Sequence, residues 1–407
     1  MSKLAIHGGS PVREKPFTKW PKATTELKDA IIGTVENENW GVGSEAISSF
    51  ENEFSNFHDS KFCISTSSGT TALWVALKSA GVKAGDEVII PPYTFIATAS
   101  AVLMANAVPI FVDIDPKTCN IDPDKLEEAI TDKTKVIMPV HITGNPAQMS
   151  KILDISKKYG ISVIEDAAQA HGAEWEGTKV GALGLGGIFS FQTSKNMSAG
   201  EGGAIISNDQ EFIDKCFSYH NCGRTTNGAF YDHQLLGGNF RLNAIAASML
   251  LAQLGTLESE MQIRDKNRKK LDQVINQIDG ITINGKYKET TRESNHLYLI
   301  RYDSNLFNDV PRAKFFSAMQ AEGIYTYAGY KPLYREELFS QNSDDYSWLE
   351  EYDYHNIDMP HTQRLADKES VWIKQNHLLG NDEDIQDIID AFEKVTTCIK
   401  NEPELFV

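Results

Sequence analysis

The chain has 407 residues, with Lys+Arg 39 against Asp+Glu 56 and a formal charge of −17. Nucleic acid and anionic membrane surfaces are excluded as principal partners, because either needs a basic face to neutralise phosphates. Hydrophobic residues make up 41%, enough for a substantial core, so disorder is excluded as the main state.

The opening MSKLAIHGGSPVREKP holds no apolar run that could serve as a signal core, and no stretch reaches the roughly 18 apolar residues of a spanning helix. A cytoplasmic protein is expected. Cys63, Cys119, Cys216, Cys222 and Cys398 are scattered without a CxxC pair, which fits reduced thiols. Cys222 lies near His220 in YHNCGR, but such a pair is usually structural, and no metal site is expected.

From about residue 45 to 210, short β-branched runs alternate with helical patterns, the sign of βαβ units and a largely parallel buried sheet. Strands are expected at 62–68, 87–92, 108–114, 135–143, 162–168, 187–192 and 203–209. Helices between them include TTALWVALKSA, closed by Gly81, and DKLEEAITDK, opened by Pro123-Asp124. A long helical stretch around Asn243 to Arg268 leads out of this core. Beyond it the order is helix (LDQVINQI), strand (HLYLIRY), helix (PRAKFFSAMQAEG), strand (IYTYAGY), then a polar aromatic loop and two helices, SVWIKQNHLLG and DIQDIIDAFEKVTTCI. That loop, Ser340 to Thr362, reads equally as a lid or an irregular surface segment. The expected organisation is an α/β protein with two parts. A large domain (1–264) is built on a mixed, mostly parallel seven-stranded sheet, and a smaller α+β domain (265–407) follows it, with no linker between.

Three features carry chemistry. The strand ending in Ser68-Gly69-Thr70-Thr71 runs straight into a helix, and such an N-terminus makes a phosphate cradle; alone it reads more readily as an ordinary βα turn with Thr as the N-cap. Glu165 and Asp166 close the strand SVIED, where α/β folds keep their ligands, and a buried carboxylate there needs a cation or strong donors. Lys195 sits in a glycine-bordered polar turn, FQTSKNMSAGEGG, that lets backbone approach a ligand closely. Gly184 and Gly186 precede a strand rather than a helix, so a dinucleotide fingerprint is disfavoured. A phosphate cradle, a buried acid and a lysine together match the needs of pyridoxal phosphate: an anchor, a partner for the ring nitrogen, and an amine for the Schiff base.

The segments SSGTTAL, PPYTFIATASAV, PVHITGNPAQM, VIEDAAQAHGA, FSFQTSKNMSAGEGGAI and GGNFRLNAIAASMLLAQL resemble the DegT/StrS family of pyridoxal-phosphate-dependent sugar and cyclitol aminotransferases, which have the fold-type I architecture. The resemblance implies that Lys195 forms the Schiff base and shuttles the proton, and that Asp166 partners the ring nitrogen. It also implies that Gln169 lies against the ring or its hydroxyl and that Phe95 stacks on the ring face. Gly69, Thr70 and Ser190 would form the phosphate cup, with Asn239 reaching the phosphate of a neighbouring subunit, so a homodimer is implied. Arg241 is the candidate for the donor carboxylate, and His171 and Tyr330 are further substrate-side candidates; Asn239 and Arg241 also read as caps of the following helix. The implied reaction is ping-pong transfer from glutamate or glutamine to a keto-sugar or keto-cyclitol. Leu185 and Thr143 depart from the family pattern, and YHNCGR, AGYKPLYREEL and VWIKQNHLLG sit closer to members acting on cyclitol ketones or making aminohydroxybenzoate. Two rivals remain: a sugar dehydratase of the same family, in which histidine typically replaces the lysine, and a catalytically idle protein keeping the fold.

Overall fold

The computed structural model describes residues 3–229, 231–339 and 346–406. An N-terminal arm precedes α1 (Thr25–Glu36) and α2 (Glu45–Phe57). The wound core follows as β1 (Phe62–Thr66), α3 (Gly69–Ser79), β2 (Glu87–Ile90), α4 (Ala97–Met104), β3 (Val108–Phe111), β4 (Thr134–Ile137), α5 (Met149–Tyr159) and β5 (Ser162–Asp166). A small hairpin, β6 (Glu174–Trp175) and β7 (Thr178–Lys179), leads to β8 (Gly186–Ser190), β9 (Gly203–Ser207) and α6 (Gln210–His220). Then come α7 (Ala244–Ile275), β10 (Ile281–Ile283), β11 (Thr290–Arg292), β12 (Leu297–Tyr302), α8 (Arg312–Ala321), α9 (Pro360–Arg364), β13 (Ser370–Lys374) and α10 (Asp382–Asn401).

Seven strands form one sheet in the order β1-β9-β8-β5-β4-β2-β3. Strand β9 runs antiparallel to both neighbours, and the other pairings are parallel. Successive side chains of a strand feed opposite faces. Thus Phe189 joins a cluster with Phe50, Phe54 and Leu250, while Ile188 joins Leu73, Val102 and Ile205 on the other side. Covering both faces explains why these strands read as continuous apolar runs rather than alternating ones. Each expected strand of this sheet is present, most of them a little shorter. The chain leaves β5 at Asp166 and β8 at Ser190 to make the turns that carry the candidate site.

Four expectations from the sequence differ from the structure. The segment DKLEEAITDK makes only a single 3₁₀ turn, Glu127–Ala129. Its end is captured instead by Glu87, which accepts from the Thr131 hydroxyl at 2.5 Å and the Thr134 hydroxyl at 3.2 Å. One turn cannot repay helix nucleation against such competing bonds. LDQVINQI is not a separate helix but mostly the end of α7, which runs unbroken through the expected 264/265 boundary. SVWIKQNHLLG begins as β13, paired with β12, because buried Val371, Trp372 and Ile373 favour a pleated surface over a helix. IYTYAGY contributes only a bridge from Tyr327 to Trp372, and Gly329 at φ +86 breaks any strand.

In the aromatic loop, Ser340 to Asp345 lie outside the described residues. The remainder clasps the sheet edge. The Tyr352 hydroxyl donates to Glu87 at 2.8 Å, and that of Tyr354 donates to the Pro109 carbonyl at 2.9 Å. Tyr354 is buried between the rings of Phe111 and Phe339, which is the packing of a strap on β3. Among the described residues no helix is long and apolar enough to cross a membrane.

Candidate active site

The site is built at the carboxyl end of β5, where the last two residues are both carboxylates and point to opposite faces. Glu165, fully buried, accepts from the backbone N–H groups of Gly181, Leu183 and Gly184, each at 2.8 Å, and contacts His141 Nε2 at 3.0 Å. Its role is to pin the 181–184 turn beneath β8. Asp166 accepts from the Thr98 hydroxyl at 2.9 Å and from the Ala168 N–H at 3.2 Å. Burial pushes its carboxyl up from the ordinary 3.8, against the pull of those two donors and of Lys195 and His141.

Lys195 lies in the turn after β8. Burial draws its amine down from 10.5 to about 8, and only the Asp166 carboxylate opposes this. The turn is clamped from three directions. The Trp20 indole donates to the Lys195 carbonyl at 2.9 Å, and Asn196 donates to the Ser294 carbonyl at 2.8 Å. Gln253 of α7 accepts from Ser198 N–H at 2.9 Å and returns a bond to its carbonyl at 2.7 Å. Gln169, one turn beyond Asp166, is equally fixed: its Oε1 accepts from Thr143 N–H at 2.8 Å and its Nε2 donates to the Tyr330 hydroxyl at 3.0 Å. A cavity of about 1290 Å³ opens beside this group, lined among others by Trp20, Ser194, His296, Tyr330 and Trp372.

The Ser68-Gly69-Thr70 turn, expected to form a phosphate cradle, opens α3. Ser68 caps α3 and exchanges bonds with Thr71, both backbone-to-side-chain contacts at 3.1 Å, which fixes the first turn. Gly69 lies so close to Ser190 that a Cβ on it would stand 2.8 Å from the Ser190 Cβ. Thr70 is half-buried in the same turn. Phe95, just before α4, is 55% exposed with its ring 6.4 Å from that of Tyr330. An exposed aromatic at the mouth of a buried site is free to cover a planar ligand.

Three expected site residues do not line the cavity beside Lys195. Arg241 donates to Asn221 Oδ1 at 2.8 Å and lines a separate cavity of about 320 Å³ with Glu51, His220 and Leu242. Asn239 is exposed on the segment paired with Asn221. The helix that follows is capped by Asn243, which accepts from Ala246 N–H at 2.9 Å. His171 is fully buried against Phe189 and Phe191, and burial depresses its basicity well below the ordinary range.

The sequence reading missed Thr98, Trp20 and the Thr143 amide. Thr98 was legible in principle, since it follows Phe95 by one helical turn and so shares its face. Trp20 carried no local signal, being 175 residues from its partner. The residues present fit a phosphorylated pyridine aldehyde: a buried amine of lowered basicity, a buried acid opposite it, and a helix N-terminus whose backbone is bare of side chains at Gly69.

A 34% identical relative, matched over 419 residues with 97% of each chain covered, is the L-glutamine:2-deoxy-scyllo-inosose aminotransferase of Streptomyces kanamyceticus. The solved 3-amino-5-hydroxybenzoic acid synthase superposes with a TM-score of 0.85 at 31% identity, covering 95% of this chain and 100% of that one. The NtdA protein of Bacillus subtilis, solved with bound cofactor PMP, gives a TM-score of 0.81 at 26% identity, covering 95% of this chain and 86% of that one. The model of the DegT/DnrJ/EryC1/StrS aminotransferase family matches residues 21–393, and the chain belongs to that family.

Proposed function

We propose that the chain uses pyridoxal phosphate to move an amino group from L-glutamine or L-glutamate onto the ketone of a cyclitol or sugar, in two half-reactions. The observation that carries this reading is the electrostatic pairing of the Lys195 amine with the buried Asp166 carboxylate at the end of β5. When bound, the coenzyme supplies an electron sink for the substrate carbon. Asp166 holds a proton on the ring nitrogen, and the low basicity of Lys195 suits it to take a proton from the substrate carbon and return it near neutral pH. Gly69, Thr70 and Ser190 would hold the phosphate at the start of α3, and Gln169 and Phe95 would help to bind the ring. Trp20, Tyr330 and Trp372 wall the cavity and limit water.

A cyclitol acceptor and glutamine as donor are favoured by the Streptomyces relative's name. A homodimer is part of the reading: neither Asn239 nor Arg241 lines the large cavity beside the chain's own Lys195, and exposed Trp40, Val42 and Leu236 supply apolar surface for a second copy. Unpaired cysteines among the described residues suit a cytoplasmic setting. The dehydratase alternative is disfavoured by lysine at 195.

The test incubates the purified chain with pyridoxal phosphate, L-glutamine and 2-deoxy-scyllo-inosose, and follows absorbance and product mass. Coenzyme uptake and an aminated cyclitol are expected, both lost in Lys195→Ala. A protein that stays colourless, or a product that has lost water without gaining nitrogen, would refute the reading.

A further inference from the structure

The bonds around Gln169 set a direction for the proton of Tyr330. A backbone N–H can only donate, so the Thr143 amide fixes the side-chain oxygen of Gln169 toward itself, at 2.8 Å. The NH₂ group must then face Tyr330, and at 3.0 Å the phenol oxygen is the acceptor. Tyr330 therefore cannot spend its own proton on Gln169. Among the described residues the hydroxyl has no other hydrogen-bond partner, while Tyr330 lines the large cavity. The rings of Tyr93, Phe95 and Trp372 pack around it. Burial and the nearby Asp166 carboxylate raise its pKa, so the proton stays on.

The anchor of this chain of bonds is itself rigid. Thr143 is held at φ +61, and Gly144 follows at φ +89 with no room for a side chain, since a Cβ there would stand 2.8 Å from the Gln169 carbonyl. Ser294 ties the same place by accepting no alternative: its hydroxyl donates to the Gln169 carbonyl at 2.6 Å, and its N–H donates to the Gly144 carbonyl at 2.9 Å.

We infer that Tyr330 is a specificity-determining donor for the acceptor substrate, reading a neutral oxygen next to its ketone, and that Thr143 and Gln169 are positioning residues that aim it. This rests on the aminotransferase reading above. A neutral donor among aromatic rings suits a hydroxyl or keto oxygen. A carboxylate such as that of the amino donor calls for a cation; the cations of this cavity are Arg13, Lys15, Lys19 and Lys374, whereas the groups stacked on the Tyr330 ring are aromatic. A site with a buried donor also rejects an analogue lacking the matching oxygen.

The two half-reactions are measured separately on the coenzyme-loaded protein, with L-glutamine on one side and 2-deoxy-scyllo-inosose on the other. Tyr330→Phe, which keeps the ring, is expected to raise the acceptor's apparent KM about tenfold or more and leave the donor half-reaction within about twofold. Gln169→Glu presents an acceptor to Tyr330 and turns its proton inward, so it is expected to reproduce the acceptor defect. Its coenzyme uptake, read by absorbance, separates that defect from weaker loading. Equal losses in both half-reactions of Tyr330→Phe, or no loss in either, would overturn the inference. So would a Gln169→Glu variant with a normal acceptor KM. A wild type that aminates no neutral keto-cyclitol or keto-sugar overturns the function reading and this inference together, whereas an active wild type with an unaffected Tyr330→Phe overturns this inference alone.

Discussion

Replacing Thr98 with valine removes one hydroxyl from the site and almost no volume. That hydroxyl donates to Asp166 at 2.9 Å and stabilises the charged carboxylate against a burial that already raises its pKa. A hydrogen bond to a charged buried group contributes about 1.5–3 kcal/mol, and about 1.4 kcal/mol corresponds to one pKa unit. Thr98→Val should therefore raise the Asp166 pKa by roughly one to two units. The carboxylate must be ionised to hold a proton on the coenzyme's ring nitrogen, so affinity for the coenzyme falls on the acid side. The sign follows directly: removing a donor to the charged form favours the neutral form, and the acid limb of the binding curve moves to higher pH. Equilibrium titration of the apo-protein with pyridoxal phosphate between pH 5 and 9, followed by absorbance, reads this shift. A variant whose acid limb coincides with that of the wild type would mean that Asp166 does not govern coenzyme binding.

Three further outcomes are expected. Glu165→Gln keeps the shape but turns an amide NH₂ toward a site filled with donors from Gly181, Leu183 and Gly184; urea unfolding should reveal a loss of about 3 kcal/mol or more, and a change under about 1 kcal/mol would refute the anchoring role. Gly69→Ala, forced against the Ser190 side chain, should weaken coenzyme affinity about tenfold or more and also lower the melting temperature, since Gly69 and Ser190 are both buried; calorimetric titration and thermal scans decide it. The Lys195 amine, lowered to about 8 by burial, should capture pyridoxal phosphate at a rate that rises with pH and levels off above about 8. The same lowering means that the folded apo-chain binds fewer protons than the unfolded one from about pH 8 to the ordinary lysine range, so its stability should rise over that interval. Stopped-flow absorbance and pH-dependent unfolding measure the two effects.

The sheet was legible because its strands, buried on both faces, are centred on apolar runs: Val88, Ile89 and Ile90 are each wholly buried. The second half was harder to read for a physical reason. In β13 the apolar run Val371-Trp372-Ile373 is too short for its period to separate strand from helix, and only pairing with β12 settles it. LDQVINQI carries a helical period of its own, so nothing local marked it as the end of a longer helix. Within the site, Asp166 and Lys195 were visible because each sits where strand chemistry gives way to a turn. The Trp20 bond to the Lys195 carbonyl was not, since closing such a distance is a property of the whole fold.

Helix α7 has a consequence of its own. At about 1.5 Å per residue, its 32 residues make a strut of about 48 Å. It steadies the catalytic turn through Gln253 near one end and the carbonyls of Leu378 and Gly380 through Asn267 near the other. A genetic crossover or proteolytic cut at residue 264 would leave 21 of the helix's 32 residues on one fragment and 11 on the other. Shuffling of the carboxyl-terminal lobe among relatives, to trade one acceptor for another, should succeed only with junctions placed beyond Ile275.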